Sequence, residues 1–239
     1  MGRLLIPWLL VSSLCLPAPM AAAQSRTLAA SSAELHLRIV SPNGSPQSSV
    51  PAAVWLMPLE GTPARPFLPH GPYTLLQKKR TFLPHLQVIP AGSVVQFPNA
   101  DPFFHNVFSL FDGKRFDLGL YEAGSSKSVT FSRVGVSYIF CNIHPEMSAV
   151  VLALSTPLYA LADASNAVDL RDIPPGDYSL NFWIEGVPQM ALSRLSQQLH
   201  LAPGRTDLRD LKAPISRKDA IQHSNEFGMP YVQEPEKPY

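Results

Sequence analysis

The stretch YIFCNIHPEM, residues 138–147, places Cys141, His144 and Met147 at steps of three behind a run of strand-forming residues. A thiolate, an imidazole and a thioether are soft ligands. With a second imidazole they make the donor set of a mononuclear copper site, two nitrogens and one sulfur in a plane with a weak axial thioether. His105, in FPNADPFFHNVF, supplies that second imidazole from an earlier segment. Taken singly the residues have blander readings: Cys141 as a small buried hydrophobe, Met147 as core filler, His105 and His144 as satisfied loop residues. The combination points to a metal, because a fixed compromise geometry suits both oxidation states of copper.

The chain has two cysteines, Cys15 and Cys141. Arg3, an apolar run over 4–20 and AAAQ at 21–24 read as an export signal, residues 1–23, cleaved after Ala23. Pro7, Pro17, Pro19 and the Ser12-Ser13 pair interrupt the run, which falls short of the ~20 apolar residues of a spanning helix. An uncleaved anchor and a lipid-modified Cys15 are the alternatives, the second disfavoured by the bulk of Leu14. The expected mature protein is periplasmic, has no membrane span and carries one thiol. In an oxidising compartment an exposed lone thiol is a liability, which favours burial or capture by a metal.

The elements that must position these groups read as short strands. There are 25 prolines in 239 residues, about twice the usual share, which argues against long helices. ELHLRIV alternates, Leu35, Leu37 and Ile39 against Glu34, His36 and Arg38, and VPAAVWLMPL reads as a more fully buried strand. EGTPARPFLPHGP, 60–72, is too rich in proline for regular structure. Between Tyr73 and Leu154, HLQVI, VVQF, HNVFSLF, KSVTFS, VSYIF and AVVLAL are strand-like runs separated by turn signals, the spacing of a β-sandwich or barrel. In VSYIF, Val136, Tyr138 and Phe140 share one face and Ser137, Ile139 and Cys141 the other. After Thr156, the strand following Pro174-Pro175-Gly176 places Tyr178, Leu180, Phe182 and Ile184 opposite Ser179, Asn181 and Trp183, and LSQQLHLAPG and TDLRDL read as closing strands. The segment HSNEFGMPYVQEPEKPY, which holds His223, reads as an extended or poorly ordered tail.

Formal charge is +1 at pH 7, and only Lys78-Lys79-Arg80 forms a basic cluster. That excludes a nucleic-acid footprint, and strong electrostatic steering of a partner is not indicated.

HNVF resembles the first-histidine segment of the cupredoxins, the plastocyanin- and azurin-like blue-copper proteins, and YIFCNIHPEM resembles their closing loop. Closer still is the methylamine-utilisation-protein-like group of exported cupredoxins. Its FPN, HNV, DLGLY and CNIH…M segments are matched by Phe97 to Asn99, His105 to Val107, Asp117 to Tyr121 and Cys141 to Met147. The resemblance covers residues 75–155. It implies one type 1 copper ion with His105, Cys141 and His144 equatorial and Met147 axial, and it implies that Asn106 helps to tie the two ligand segments together. One departure bears on the axial position. Only Pro145 and Glu146 separate His144 from Met147, fewer residues than in plastocyanin or azurin. A shorter loop would strain the axial bond or let the Glu146 carboxylate replace the thioether, a harder ligand that would also admit zinc.

The flanks resemble a carboxypeptidase-regulatory-like, prealbumin-type sandwich: LRIVSPNGSPQSSVPAAVWLMPL its opening, DIPPGDYSLNFWIEG a later strand. The expected fold is all-β, a cupredoxin Greek-key β-sandwich with a second, smaller prealbumin-like β-sandwich formed by the flanking segments. The expected division is signal 1–23, first part of the second sandwich 24–73, cupredoxin domain 74–155, remainder of the second sandwich 156–213 and tail 214–239. In the alternative, tandem arrangement the first strands belong to the copper domain itself.

The function expected from this reading is that of a one-electron carrier with an unidentified redox partner protein, not an enzyme. A copper trafficking or storage protein uses the same ligands and is the alternative. Multicopper oxidase or nitrite reductase chemistry needs further copper centres, often built on His-x-His pairs, and His36, His70, His85, His200 and His223 form none. A two-copper electron-entry site needs two cysteines in the mature chain. A structural β-protein that merely buries Cys141 predicts no metal. Hydrolase chemistry at Cys141 and His144 lacks an evident orienting carboxylate.

Overall fold

The computed structural model describes residues 32–45, 47–109 and 113–215. The expected signal with Cys15, and nearly all of the expected tail with His223, lie outside the described residues. Strand β1 (Ala33–Val40) buries Leu35, Leu37 and Ile39 and turns Glu34 and Arg38 to solvent, as its period of two predicts. His36, on the solvent side, is half-buried against Asp169, with Nδ1 2.6 Å from Oδ1. Strand β2 (Ala52–Pro58) is buried along most of its length.

After the irregular stretch 60–72 come ten strands: β3 (Tyr73–Thr74), β4 (Leu76–Lys78), β5 (Thr81–Leu83), β6 (Leu86–Pro90), β7 (Val94–Pro98), β8 (His105–Ser109), β9 (Phe116–Tyr121), β10 (Ser126–Thr130), β11 (Gly135–Phe140) and β12 (Ser148–Leu154). They pair among themselves, as a three-stranded sheet β10-β7-β3, a five-stranded sheet β6-β12-β11-β8-β9 and the hairpin β4-β5. Val95, Phe97, Val107, Ile139, Ala149 and Val151 belong to the apolar cluster these strands enclose.

The chain then runs through β13 (Tyr159–Leu161), β14 (Ala167–Ile173), β15 (Gly176–Ile184), a short helix α1 (Gln189–Leu195), β16 (Gln197–Leu201) and β17 (Gly204–Lys212). These late strands pair with the first two, in the sheets β14-β1-β17 and β13-β2-β15-β16. Leu35 stands opposite Leu170, and Val54 opposite Phe182. Tyr159 of β13 stands opposite Trp55 of β2, so the chain leaves along one strand and comes back on its neighbour. Among the described residues, β1 and β2 pair with none of β3 to β12. Among the described residues the chain is all-β apart from α1, as the patterning predicts.

Strand β12 is buried on both faces, and its alternation shows why. Ala149, Val151 and Ala153 belong to the cluster enclosed by β3 to β12, whereas Val150, Leu152 and Leu154 belong to the cluster of the flanking strands. Side chains one residue apart on a strand point to opposite sides, so one strand can wall two cores only if it is apolar throughout. The same packing explains a departure from the expected pattern of β15. Trp183 lies on the face shared with Ser179 and Asn181 but is buried, and its indole N–H donates to the Tyr138 hydroxyl at 3.3 Å. A second departure is α1, in a stretch between two strand readings to which the patterning assigns no element. It begins after Pro188, whose fixed φ suits a helix start, and Leu192 is its buried anchor.

A polar contact also crosses between the two sets of sheets. His85, just before β6, lies with Nε2 2.6 Å from Glu185 Oε1 and Nδ1 3.1 Å from the carbonyl oxygen of Ser148. The hydrogen bond to Glu185 raises the His85 pKa, while burial pulls the other way. A raised pKa in the folded protein means stabilisation that is full below the unfolded value of about 6.5 and is lost as pH climbs through the folded one. Glu185→Gln should therefore destabilise the protein near pH 5.5, by no more than ~1 kcal/mol for a partly exposed pair. The difference should shrink by pH 8.5. Urea denaturation at both pH values checks this, and a difference that does not change with pH would show that the imidazolium charge plays no part.

Candidate metal centre

His105 opens β8, and Cys141 to Met147 form the connection between β11 and β12. Phe140 pairs with Phe108 on one side and with Ser148 on the other, so the strand that delivers Cys141 lies between the strands that carry the other ligand segments. The connection is closed by its own backbone. The Cys141 N–H donates to the Met147 carbonyl at 3.2 Å, and the Met147 N–H donates to the His144 carbonyl at 3.0 Å.

Three of the expected ligands converge. His105 Nδ1 and His144 Nδ1 each stand 3.6 Å from Cys141 Sγ. One ligand atom from each residue falls within 4.8 Å of the other two. The two imidazole rings meet edge to face, centroids 4.9 Å apart. His105 and Cys141 are fully buried and His144 is half-buried. Met147 is fully buried in the same apolar cluster as Cys141. Glu146 is exposed, and its carboxylate lies outside the three-residue group.

A metal fits this geometry. With bonds of ~2.3 Å to sulfur and ~2.0 Å to nitrogen, two ligand atoms at ordinary angles stand about 3.5–3.8 Å apart, and both Sγ–Nδ1 separations are 3.6 Å. The proton count points the same way. A single S–H can satisfy only one of two imidazole nitrogens, and His105 Nδ1 carries a lone pair for a separate reason. His105 Nε2 lies 2.9 Å from Asp101 Oδ2, and an ionised carboxylate only accepts. The neutral ring must then hold its proton on Nε2 and aim its Nδ1 lone pair at the sulfur.

Asp101 was not among the residues singled out in the sequence. Its only signal there is its place four residues before His105 in PNADPFFH. The turn that presents it is built by Asn99, whose Oδ1 accepts the Asp101 N–H at 3.0 Å and whose Nδ2 donates to the Phe103 carbonyl at 2.8 Å. Burial alone would raise the Asp101 pKa. The Arg80 N–H, the His105 ring and the Lys79 N–H outweigh it and hold the carboxyl below its ordinary value. Phe103 packs against both imidazoles, with ring centroids 5.3 Å from His105 and 5.5 Å from His144. The Arg80 guanidinium lies 5.5 Å from the centre of the Phe103 ring.

Asn106 ties the segments together, partly through its backbone. Its main-chain N–H, with those of Ile143 and His144, is directed at the Cys141 sulfur. Its side-chain Nδ2 donates to Asp117 Oδ1 at 2.8 Å, which fastens β8 to β9. Tyr121, the last residue of β9, is buried in the same cluster, accepts a hydrogen bond from Gln77 Nε2 and donates to the Phe97 carbonyl at 3.0 Å.

No protein-family model matches the chain, and no curated protein matches it. Solved structures similar to part of it include a purple cupredoxin from Nitrosopumilus maritimus, 23% identical over 34% of this chain and 96% of that one, with a TM-score of 0.31. Another is the copper-containing nitrite reductase NirK from Thermus scotoductus, 21% identical over 49% of this chain and 28% of that one, TM-score 0.34. A third is a single-site variant of amicyanin in its Cu(I) form, 18% identical over 35% of this chain and 83% of that one, TM-score 0.33.

The protonation states set how the site takes up a metal. Burial pushes the Cys141 thiol up, against the three backbone N–H groups, so at neutral pH it is a thiol. Burial, His105 and Arg80 push His144 down, so at neutral pH its ring is uncharged and already a ligand. Zinc added to the metal-free protein at pH 7.5 should therefore draw a proton from Cys141 and none from His144. Calorimetry in buffers of different ionisation heat measures this. Release that survives Cys141→Ser, or a second proton from His144, would contradict these directions.

Proposed function

We propose that this chain is an exported, periplasmic copper protein that carries single electrons at one type 1 site and is not itself an enzyme. His105, Cys141 and His144 would hold the ion in a plane, and Met147 would supply the weak axial sulfur. Copper so held would supply one-electron chemistry at nearly constant geometry. The observation that carries the reading is the equal 3.6 Å approach of two imidazole nitrogens to a buried lone thiol. We also assign residues 74–155, from the end of β3 through β12, to a copper module set into a prealbumin-like sandwich made by 24–73 and 156–213. The export signal, 1–23, belongs to the same proposal. Among the described residues no helix is long and apolar enough to cross a membrane.

The chain's residues favour a carrier over a trafficking protein. Handing a metal to another protein requires an incoming ligand to reach the donors, yet Cys141, His105 and Met147 are all fully buried. Only His144 is reachable, and it stands beside exposed Ile143, the arrangement an electron needs and a departing ion does not. The three N–H groups on the sulfur favour the thiolate without moving, so little rearrangement accompanies a change of charge.

Adding Cu(II) to the metal-free mature protein should produce an intense visible thiolate-to-copper absorption that Cys141→Ser abolishes. Met147→Leu should keep the colour and raise the reduction potential. A colourless complex in the parent protein would overturn the type 1 assignment, and loss of all copper binding in Met147→Leu would overturn the weak axial role.

A further inference from the structure

We propose that Asp101 is a positioning residue for the copper site: it locks His105 in the Nε2–H tautomer and, as a fixed buried negative charge, biases the site toward Cu(II), lowering its potential. This rests on the copper reading above.

The contact is built rather than incidental. Asp101 is 6% exposed and His105 0%, with Oδ2 and Nε2 2.9 Å apart. The carboxylate is held from its other side by main-chain donors, the Lys79 N–H on Oδ1 at 2.6 Å and the Arg80 N–H on Oδ2 at 3.0 Å. Three N–H groups on one buried carboxyl fit its charged form. Lys79 and Arg80 are the two central residues of the β4–β5 hairpin, since Lys78 pairs with Thr81, and both have positive φ, 55° and 57°. Such a turn favours Asn-Gly, and side-chain-bearing residues there are strained. The carboxylate therefore does two things, holding an unfavourable turn and orienting a ligand.

Charge separates this arrangement from one that merely fixes the ring. A backbone carbonyl or an asparagine oxygen in the same place could accept from Nε2, but it would bring a dipole and no net charge. A carboxylate makes the imidazole a more basic ligand. With the Cys141 thiolate it also places two negative charges within the buried site. A divalent ion brings that set to neutrality, whereas a monovalent ion leaves one negative charge uncompensated where the dielectric is low. The other charged groups facing the site, Arg80 and Glu146, are exposed, opposite in sign and screened by water.

The test uses Lys79→Asn/Arg80→Gly as background, because that turn no longer needs the carboxylate, and adds Asp101→Asn. In the metal-free protein, nitrogen NMR of His105 should show the Nε2–H form alone in the background, and after Asp101→Asn, whose amide can either accept from Nε2–H or donate to a bare Nε2, a mixture with Nδ1–H. In the copper-loaded protein, the preference for Cu(II) over Cu(I) should fall at least tenfold, an upward shift of about 59 mV for one electron. Equal thermal midpoints of the two proteins would show that the fold is unaffected. An unchanged potential with the visible band intact would overturn the proposal and leave Asp101 a turn-holding residue. Absence of that band in the parent protein would instead mark the copper reading as the part that failed.

Discussion

A sulfur buried away from water, with two imidazoles and three main-chain N–H groups turned toward it, is the constraint around which this protein is arranged. Cys141 lies in an apolar cluster with Met147, Ile139 and Val107, surroundings that disfavour a thiolate. Main-chain N–H groups of Asn106, Ile143 and His144 answer that cost. They come from two segments that must be held in fixed relation. The Asn106 amide is available because β8 pairs with β11 at Phe108 and Phe140, and those of Ile143 and His144 because the loop closes between Cys141 and Met147. Strand pairing, loop closure and the surroundings of the sulfur are thus one requirement met by the same few backbone groups.

The two histidines beside Cys141 are treated differently, and the difference follows from their positions. His105, on a strand, is fully buried and answered by a buried acid. His144, on the loop, is half-buried, has the Arg80 charge and Phe103 beside it, and stays neutral by burial and repulsion. One ring is thereby fixed to the scaffold while the other faces the outside.

Much of this was legible in the sequence. The spacing of Cys141, His144 and Met147 pointed to one loop, on which the fold brings Cys141 and His144 together with His105 and buries Met147, and the alternation of β1 and of residues 178–184 identified the buried faces. What was not legible was carried by contacts between distant residues. Asp101 looks like any turn aspartate until the fold brings its carboxylate to the far side of His105. Trp183 falls on the more polar face of its strand, and only a second sheet lying against that face explains its burial. His85 finds its acid a hundred residues away, at Glu185, a pairing with no local signature. Helix α1 was missed because seven residues with one buried leucine give too little periodicity to read.

The double-sided burial of β12 has a consequence for anyone wishing to cut this protein down. Trimming away the flanking strands to isolate β3 to β12 would bare Val150, Leu152 and Leu154, which lie against those strands. Each such side chain is worth roughly 1.5–3 kcal/mol when covered, and three together rival the ~5–15 kcal/mol that separates a typical folded domain from its unfolded chain. The excised piece would expose a sticky wall on the strand that leads out of the ligand loop. The two clusters share β12 as a partition, and neither keeps its cover when the strands of the other are removed.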